Sequence, residues 1–237
     1  MYYNTKLKQY PDGTVQGMYY EKPKEVGYKV GERNKTGLHI ERKEKENASR
    51  AVRKVYDLAR SNEFDWFVTM TFDKSKVVDR FDYDACADAL KKFTDILRHN
   101  GNKWIVVAEQ HKKGGYHFHG LVSGELPVTK ARSAKTGRLI KKNGHQLYNV
   151  DNYKYGFTTA SKIVDRACAA TYLTKYLTKE ISVPKGRKRY WASRGLNKPS
   201  EELLQMTSAE YGEIFNSARY QKVINTLCWG SFLMCET

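Results

Sequence analysis

His117 and His119 lie two residues apart in the apolar run Tyr116-His117-Phe118-His119-Gly120-Leu121-Val122. On a β-strand that spacing sends both imidazoles to one face and Phe118 to the other. The preceding run, Trp104 to Glu109, also reads as a strand, and His111-Lys112-Lys113-Gly114-Gly115 reads as the turn between the two. A three-residue loop, Lys112 to Gly114, sets Glu109 opposite His117 on the imidazole face; an even-numbered loop offers Gln110 instead. Two imidazoles and a carboxylate form a mixed nitrogen and oxygen set suited to a divalent ion, Mn²⁺ or, more weakly, Mg²⁺. An HxH pair in a strand also occurs as two ordinary structural histidines, so the pair acquires meaning from its surroundings.

A second pair of reactive residues follows at helical spacing. Tyr172 and Tyr176 are four residues apart, about 6 Å along a helix axis and on one face, with Lys175 and Lys179 paired on the neighbouring face. A phenol with a pKa near 10 is a weak nucleophile at neutral pH. It can nevertheless attack a phosphodiester whose oxygens are held by a metal ion and a lysine, giving a phosphotyrosine intermediate. In a chain with 17 tyrosines, the same pair also fits an amphipathic helix whose lysines face water.

These residues need a rigid frame. Trp66 to Phe72 is a dense β-branched and aromatic strand, and periodic apolar positions predict helices over 47–60, 82–99 and 163–180, the second stopping at Asn100-Gly101. Before residue 47 the chain is polar, tyrosine-rich and glycine-punctuated, with alternating runs such as Thr14 to Tyr19 that read as a hairpin or edge strands. A last helical pattern covers Glu210 to Leu227, followed by an apolar end. The fold class expected is α+β, a central antiparallel sheet flanked by helices.

The charge balance narrows the partner. Among 237 residues, 42 Lys and Arg against 26 Asp and Glu leave a net +16, which points to a polyanion. The excess is concentrated: residues 126–150 and 181–200 contain no acid. In the second stretch Lys185, Arg187, Lys188, Arg189, Tyr190, Trp191 and Arg194 mix cations with aromatics, as a groove for single-stranded nucleic acid does. Lys112 and Lys113, in the turn beside the histidines, are placed to meet phosphates as well. A hydrophobic fraction of 40% argues for a packed core and against a basic disordered tail.

Other classes drop out. No apolar run approaches the length of a membrane span, and the first residues carry no signal-peptide core, so a soluble protein of a reducing cytoplasm with no membrane partner is expected. Four scattered cysteines without a CxxC pair suggest neither a disulfide framework nor a zinc finger. The chain has no Gly-Lys dipeptide and hence no phosphate-binding loop of the ATPase type, so strand separation falls to a partner.

Three motifs in order resemble those of the HUH endonucleases, most closely the two-tyrosine rolling-circle replication initiators of small single-stranded DNA phages (Microviridae-like) and of related plasmids or integrated elements. Phe67-Val68-Thr69-Met70-Thr71-Phe72 looks like the first motif, Gly115 to Val122 like the metal-binding HUH motif, and Tyr172 to Lys179 like the nucleophile motif. The resemblance covers about residues 64–180. It implies a palm-like sheet presenting His117 and His119 beneath the tyrosine helix, and a metal ion that positions the scissile phosphate of single-stranded origin DNA. Cleavage would leave a 5′-phosphotyrosine and a free 3′-OH primer, with the two tyrosines alternating and Lys175 and Lys179 steadying the phosphate or leaving oxygen. A host helicase and DNA polymerase in the bacterial cytoplasm are the implied partners. Residues 1–46 are then an N-terminal arm or edge strands, 47–200 the endonuclease domain, and 201–237 a C-terminal helix or extension packing on that domain. An HUH transposase or relaxase is the near alternative, disfavoured by the tyrosine pair and by tyrosines following the histidines. The alternative from another class is a noncatalytic single-strand-binding protein.

Overall fold

The computed structural model describes residues 1–27, 37–76, 79–178, 183–184, 186–217, 220–224 and 229–234. In chain order the elements are β1 (Tyr2–Gln9), β2 (Val15–Glu25), α1 (Gly37–Arg60), β3 (Trp66–Phe72), α2 (Tyr83–His99), β4 (Trp104–Gln110), β5 (Tyr116–Val122), β6 (Val128–Lys130), β7 (Lys141–Lys142), β8 (His145–Gln146), β9 (Tyr148–Val150), β10 (Gly156–Lys162), α3 (Arg166–Thr178), β11 (Tyr190–Ala192), β12 (Ser200–Leu204), α4 (Ser208–Ser217), β13 (Tyr220–Ile224) and β14 (Trp229–Met234). The chain is α+β, with a central antiparallel sheet, as the sequence predicts. It divides into two compact units, residues 38–196 and a second made of 1–37 with 197–237.

In the 38–196 unit the sheet has seven strands in the order β11-β4-β5-β3-β10-β9-β6, every pairing antiparallel. Period-two alternation gives the sheet two apolar faces. Trp66, Val68, Met70, Phe72, Val106, Ala108, Phe118 and Val122 pack against Ala89, Leu90, Phe93 and Leu97 of α2. Ile105, Val107 and Leu121 pack on the opposite face against Val55, Leu58 and Ala59 of α1 and Ala170, Leu173 and Leu177 of α3. Burying a leucine such as Leu173 stabilises the unit by about 1.5–3 kcal/mol.

Short polar side chains fix the helix ends. Asp82 caps α2 by accepting from the Asp84 amide at 2.8 Å. The chain leaves that helix through Gly101 at a φ of 77°, the left-handed conformation the Asn-Gly pair predicts. Asp165 caps α3 by accepting from the Cys168 amide at 2.9 Å, and those hydrogen bonds hold its carboxyl below the usual aspartate value.

β10 is absent from the sequence expectation, which places no strand between residue 150 and the helix. It pairs with the whole of β3, from Gly156 opposite Phe72 to Lys162 opposite Trp66. Its entry is tight, since a Cβ at residue 156 would stand 2.1 Å from the Thr71 carbonyl oxygen and 2.7 Å from the Asp73 amide nitrogen.

The other unit is a five-stranded sheet of order β12-β1-β2-β14-β13 with α4. The two ends of the chain therefore share one sheet: β1 pairs with β12 and β2 with β14. Asn4 clamps this join, its amide donating to the Met206 carbonyl at 2.7 Å and accepting from the Met206 amide at 2.9 Å. A capping box starts α4, with Thr207 and Glu210 exchanging hydrogen bonds. The helix expected over 210–227 ends at Ser217, and 220–224 and 229–234 form a β-hairpin. The run Tyr220-Gln221-Lys222-Val223-Ile224 is rich in strand formers and lacks a helical apolar stripe. Among the described residues no helix is long and apolar enough to cross a membrane.

Because β10 approaches β3 too closely for any side chain at its first residue, Gly156→Ala should destabilise the 38–196 unit by about 1–3 kcal/mol or more. The urea unfolding midpoint measures this; an unchanged midpoint would show that the approach relaxes at no cost.

Candidate active site

Three neighbouring strands set one polar face. β5 pairs with β3 so that Thr69 lies opposite His119 and Thr71 opposite His117, and with β4 so that Glu109 lies opposite His117. That register follows from the three-residue turn: His111 and Gly115 close it, with the His111 amide donating to the Gly115 carbonyl at 2.8 Å. Phe118 is fully buried among the α2-side residues, as alternation requires.

Each imidazole is held from the side. His119 Nδ1 is 3.1 Å from Thr69 Oγ1, and His117 Nδ1 is 3.1 Å from Thr71 Oγ1. A hydroxyl can donate or accept, so either histidine tautomer is accommodated, and each Nε2 is left to face the site. His119 Nε2 lies 2.7 Å from Glu109 Oε2. The carboxylate thus reaches diagonally across the ladder to His119 rather than to His117, its direct opposite. Burial holds the His117 imidazole below its ordinary value, with His119 and His111 acting in the same sense, so it is neutral at pH 7.

The α3 side chains close over this face. The Tyr176 ring stacks on the His119 imidazole, centroids 3.6 Å apart and planes within 9°. Tyr172 lies one turn earlier, 5.4 Å from Tyr176 and 5.2 Å from Phe67 of β3. The two phenols differ in setting. Tyr172 is 41% exposed, whereas Tyr176 is half-buried. Burial pushes the Tyr176 phenol well above the ordinary tyrosine value, reinforced by its hydrogen bond with Tyr172 and by the charges of Tyr172 and Glu109. Lys175 is exposed, its Nζ 5.9 Å from the Tyr172 ring centre. Lys179 lies outside the described residues, as does Lys185.

The structure therefore brings Glu109, His117, His119, Tyr172, Tyr176 and Lys175 to one face of one sheet. Lys112 and Lys113 are exposed on the adjoining turn, the Lys113 amide donating to His111 Nδ1. The basic stretch after α3 is divided. Tyr190 packs on the α3 side, but Trp191 stacks on Tyr83 and contacts Phe118 on the α2 side, and Arg187 pairs with Asp84 of α2. Lys188 and Arg194 are exposed and Arg189 is half-buried. Thr69, Thr71 and Phe67 belong to the site as partners of its rings, as does His111, 5.6 Å from His117 between centroids. Sequence reasoning gives the threonines no job, although their i, i+2 spacing matches that of the histidines.

As placed, no three His, Cys, Asp or Glu side chains among the described residues converge on a metal position. The donors nevertheless fit a divalent ion chemically. Two imidazoles keep Nε2 directed away from their threonine anchors, and the nearby carboxylate now engages one of them.

Residues 65–181, just under half of the chain, match the family model of the replication-associated protein ORF2. That match supports a replication-initiator family and with it a role in DNA replication. It runs from the start of β3 beyond the end of α3, and so includes every residue of the face just described. No curated protein and no solved structure matches the chain.

The Tyr176 environment has a measurable consequence at alkaline pH. An unfolded chain releases a tyrosine proton near pH 10, whereas folded Tyr176 retains it, so stability should fall as pH rises above about 10. Tyr176→Phe should flatten that fall and remove a late-titrating phenol from the ultraviolet absorbance titration. An unaltered titration would show that Tyr176 ionises as an exposed tyrosine does.

Proposed function

We propose that the protein is a metal-dependent nicking and joining enzyme for single-stranded origin DNA, using tyrosine as nucleophile to start and end rolling-circle replication. The observation that carries the reading is the stacking of Tyr176 on His119, which puts a tyrosine pair directly above an imidazole pair and a carboxylate. The family match adds a replication role from an independent direction.

Tyr172, the exposed member of the pair, makes the first attack. Its phenolic oxygen bonds to the scissile phosphorus, the bond from phosphorus to the 3′ oxygen breaks, and the phenol's proton ends on that oxygen. The products are a 5′-phosphotyrosine and a 3′-OH primer, with the phosphodiester energy retained for rejoining. Glu109, His117 and His119 hold the divalent ion, Mn²⁺ or Mg²⁺, which when bound polarises the phosphate. The Lys175 ammonium offsets charge that builds on the phosphate oxygens. Tyr176 acts in the second transfer, once the first phenol is esterified and can no longer share their hydrogen bond. With no ATPase loop in the chain, a helicase supplies the single strand and a polymerase extends the primer.

The test is covalent capture on single-stranded oligonucleotides from the source replicon, read by denaturing gel and mass spectrometry with Mn²⁺ present. Tyr172→Phe should abolish the first adduct, Tyr176→Phe should retain it, and the double variant should form none while still binding DNA. A surviving adduct in the double variant overturns the nucleophile assignment. Tight, metal-independent binding with no wild-type adduct would make the protein a noncatalytic binder.

His117→Ala combined with His119→Ala should abolish metal-dependent cleavage and the binding of Mn²⁺ measured by calorimetry, because the one carboxylate left holds such an ion weakly. Cleavage that persists in this variant would overturn the metal assignment.

A further inference from the structure

The acid-free stretch 126–150 folds as a β-ribbon at the edge of the seven-stranded sheet, remote from the tyrosine helix in chain order and unused by the chemistry above. β6 and β9 form its base, Val128 opposite Val150 and Lys130 opposite Tyr148. Beyond them Arg132 bridges to Leu139, and β7 pairs with β8. Two tight turns make it rigid. The Gly137 amide donates to the Ser133 carbonyl at 2.8 Å, and Asn143-Gly144, with φ of 50° and 81°, closes the β7–β8 hairpin. That pair of positive φ values is the turn that matches strand twist, and Asn-Gly is its preferred sequence.

The ribbon's surface has one character. Residues 134–145 are all exposed. The ribbon carries Lys130, Arg132, Lys135, Arg138, Lys141 and Lys142, and none of these has a carboxylate partner among the described residues. A solvated surface usually interleaves both signs; six cations without an acid leave a strong unbalanced field. Two exposed apolar side chains, Leu139 and Ile140, lie among them.

We propose that this ribbon grips double-stranded DNA beside the cut. A single strand is held by bases stacking on aromatic side chains. The only Phe, Trp or Tyr between 126 and 150 is Tyr148, which packs edge-on against Trp66 at 5.4 Å. A B-form major groove, by contrast, is about 12 Å wide and admits a two-stranded ribbon. Cations then reach both phosphate rails, and Leu139 and Ile140 meet apolar surface such as thymine methyls. Four strand spacings separate β6 from β5, about 19 Å, or roughly half a helical turn of duplex. The reading rests on the proposed cutting of DNA, and it adds that the cut strand leaves a duplex about that far from the phosphate.

The experiment compares the full-length protein with the variant Lys135→Gln, Arg138→Gln, Lys141→Gln, Lys142→Gln, whose exposed positions leave the core untouched. Fluorescence anisotropy measures binding to a blunt duplex and to a single strand of equal length over a series of salt concentrations. The variant should lose at least tenfold in duplex affinity at physiological salt. Its log–log salt slope should become shallower by about 0.9 for each phosphate no longer neutralised. Single-strand affinity and adduct yield on single-stranded substrate should hold. Equal loss on both probes would make the ribbon a single-strand grip, and no loss on duplex would make it a solvated surface; either overturns the proposal. The duplex measurement needs no cleavage, so a protein that forms no adduct yet shows the duplex-specific loss fails the cutting reading alone.

Discussion

The registry of three strands determines what this protein can do. Thr69 and Thr71 on β3, His117 and His119 on β5 and Glu109 on β4 share a face because each strand alternates with period two and the pairings fall in phase. A slip of one residue in β5 would turn both imidazoles into the α2 core and present Phe118 to the tyrosines. The apolar alternation of the same strands forbids that slip, since Phe118, Val106 and Met70 are fully or almost fully buried on the other side. Packing energy that belongs to the fold thereby fixes the positions of groups whose own interactions are weak.

The tyrosine helix is held to this face from below and at its start. Ala170, Leu173 and Leu177 bury its apolar stripe, and Asp165 satisfies its first amides. Tyr176 is thus delivered to His119 as a flat ring on a flat ring, with little rotamer freedom left to lose. Tyr172, one turn earlier and facing outward over Phe67, keeps more freedom. Two residues of the same type on one helix become chemically distinct through depth alone.

Much of this is legible in the chain. The β4–β5 hairpin and its odd-numbered turn follow from Gly114-Gly115 and two apolar runs, and α2 from its periodicity and the Asn-Gly stop. What the chain conceals depends on partners far away in sequence. β10 is Gly-Phe-Thr-Thr-Ala-Ser-Lys, too polar to announce itself, and becomes a strand because β3 offers it a complete edge. The imidazole anchors need the β3–β5 register, which no local pattern reveals. Trp191 reads as a stacking platform because composition cannot tell which face of an edge strand an aromatic will occupy; its neighbours Tyr83 and Phe118 decide that.

The pairing of β1 with β12 carries a consequence for how the molecule comes into being. Asn4 and Met206 are 202 positions apart, so the sheet holding the first residues waits for strands made almost at the end of synthesis. Closing a flexible loop of that size costs about 5 kcal/mol of chain entropy, less once the intervening residues have folded. The order of events follows: residues 38–196, whose strands mostly pair with near neighbours, can assemble first, and the terminal sheet forms late, with the high contact order of a slow step. In the interval β1 and β2 make a lone hairpin with open edges, the state in which a growing chain is most exposed to pairing with another copy of itself.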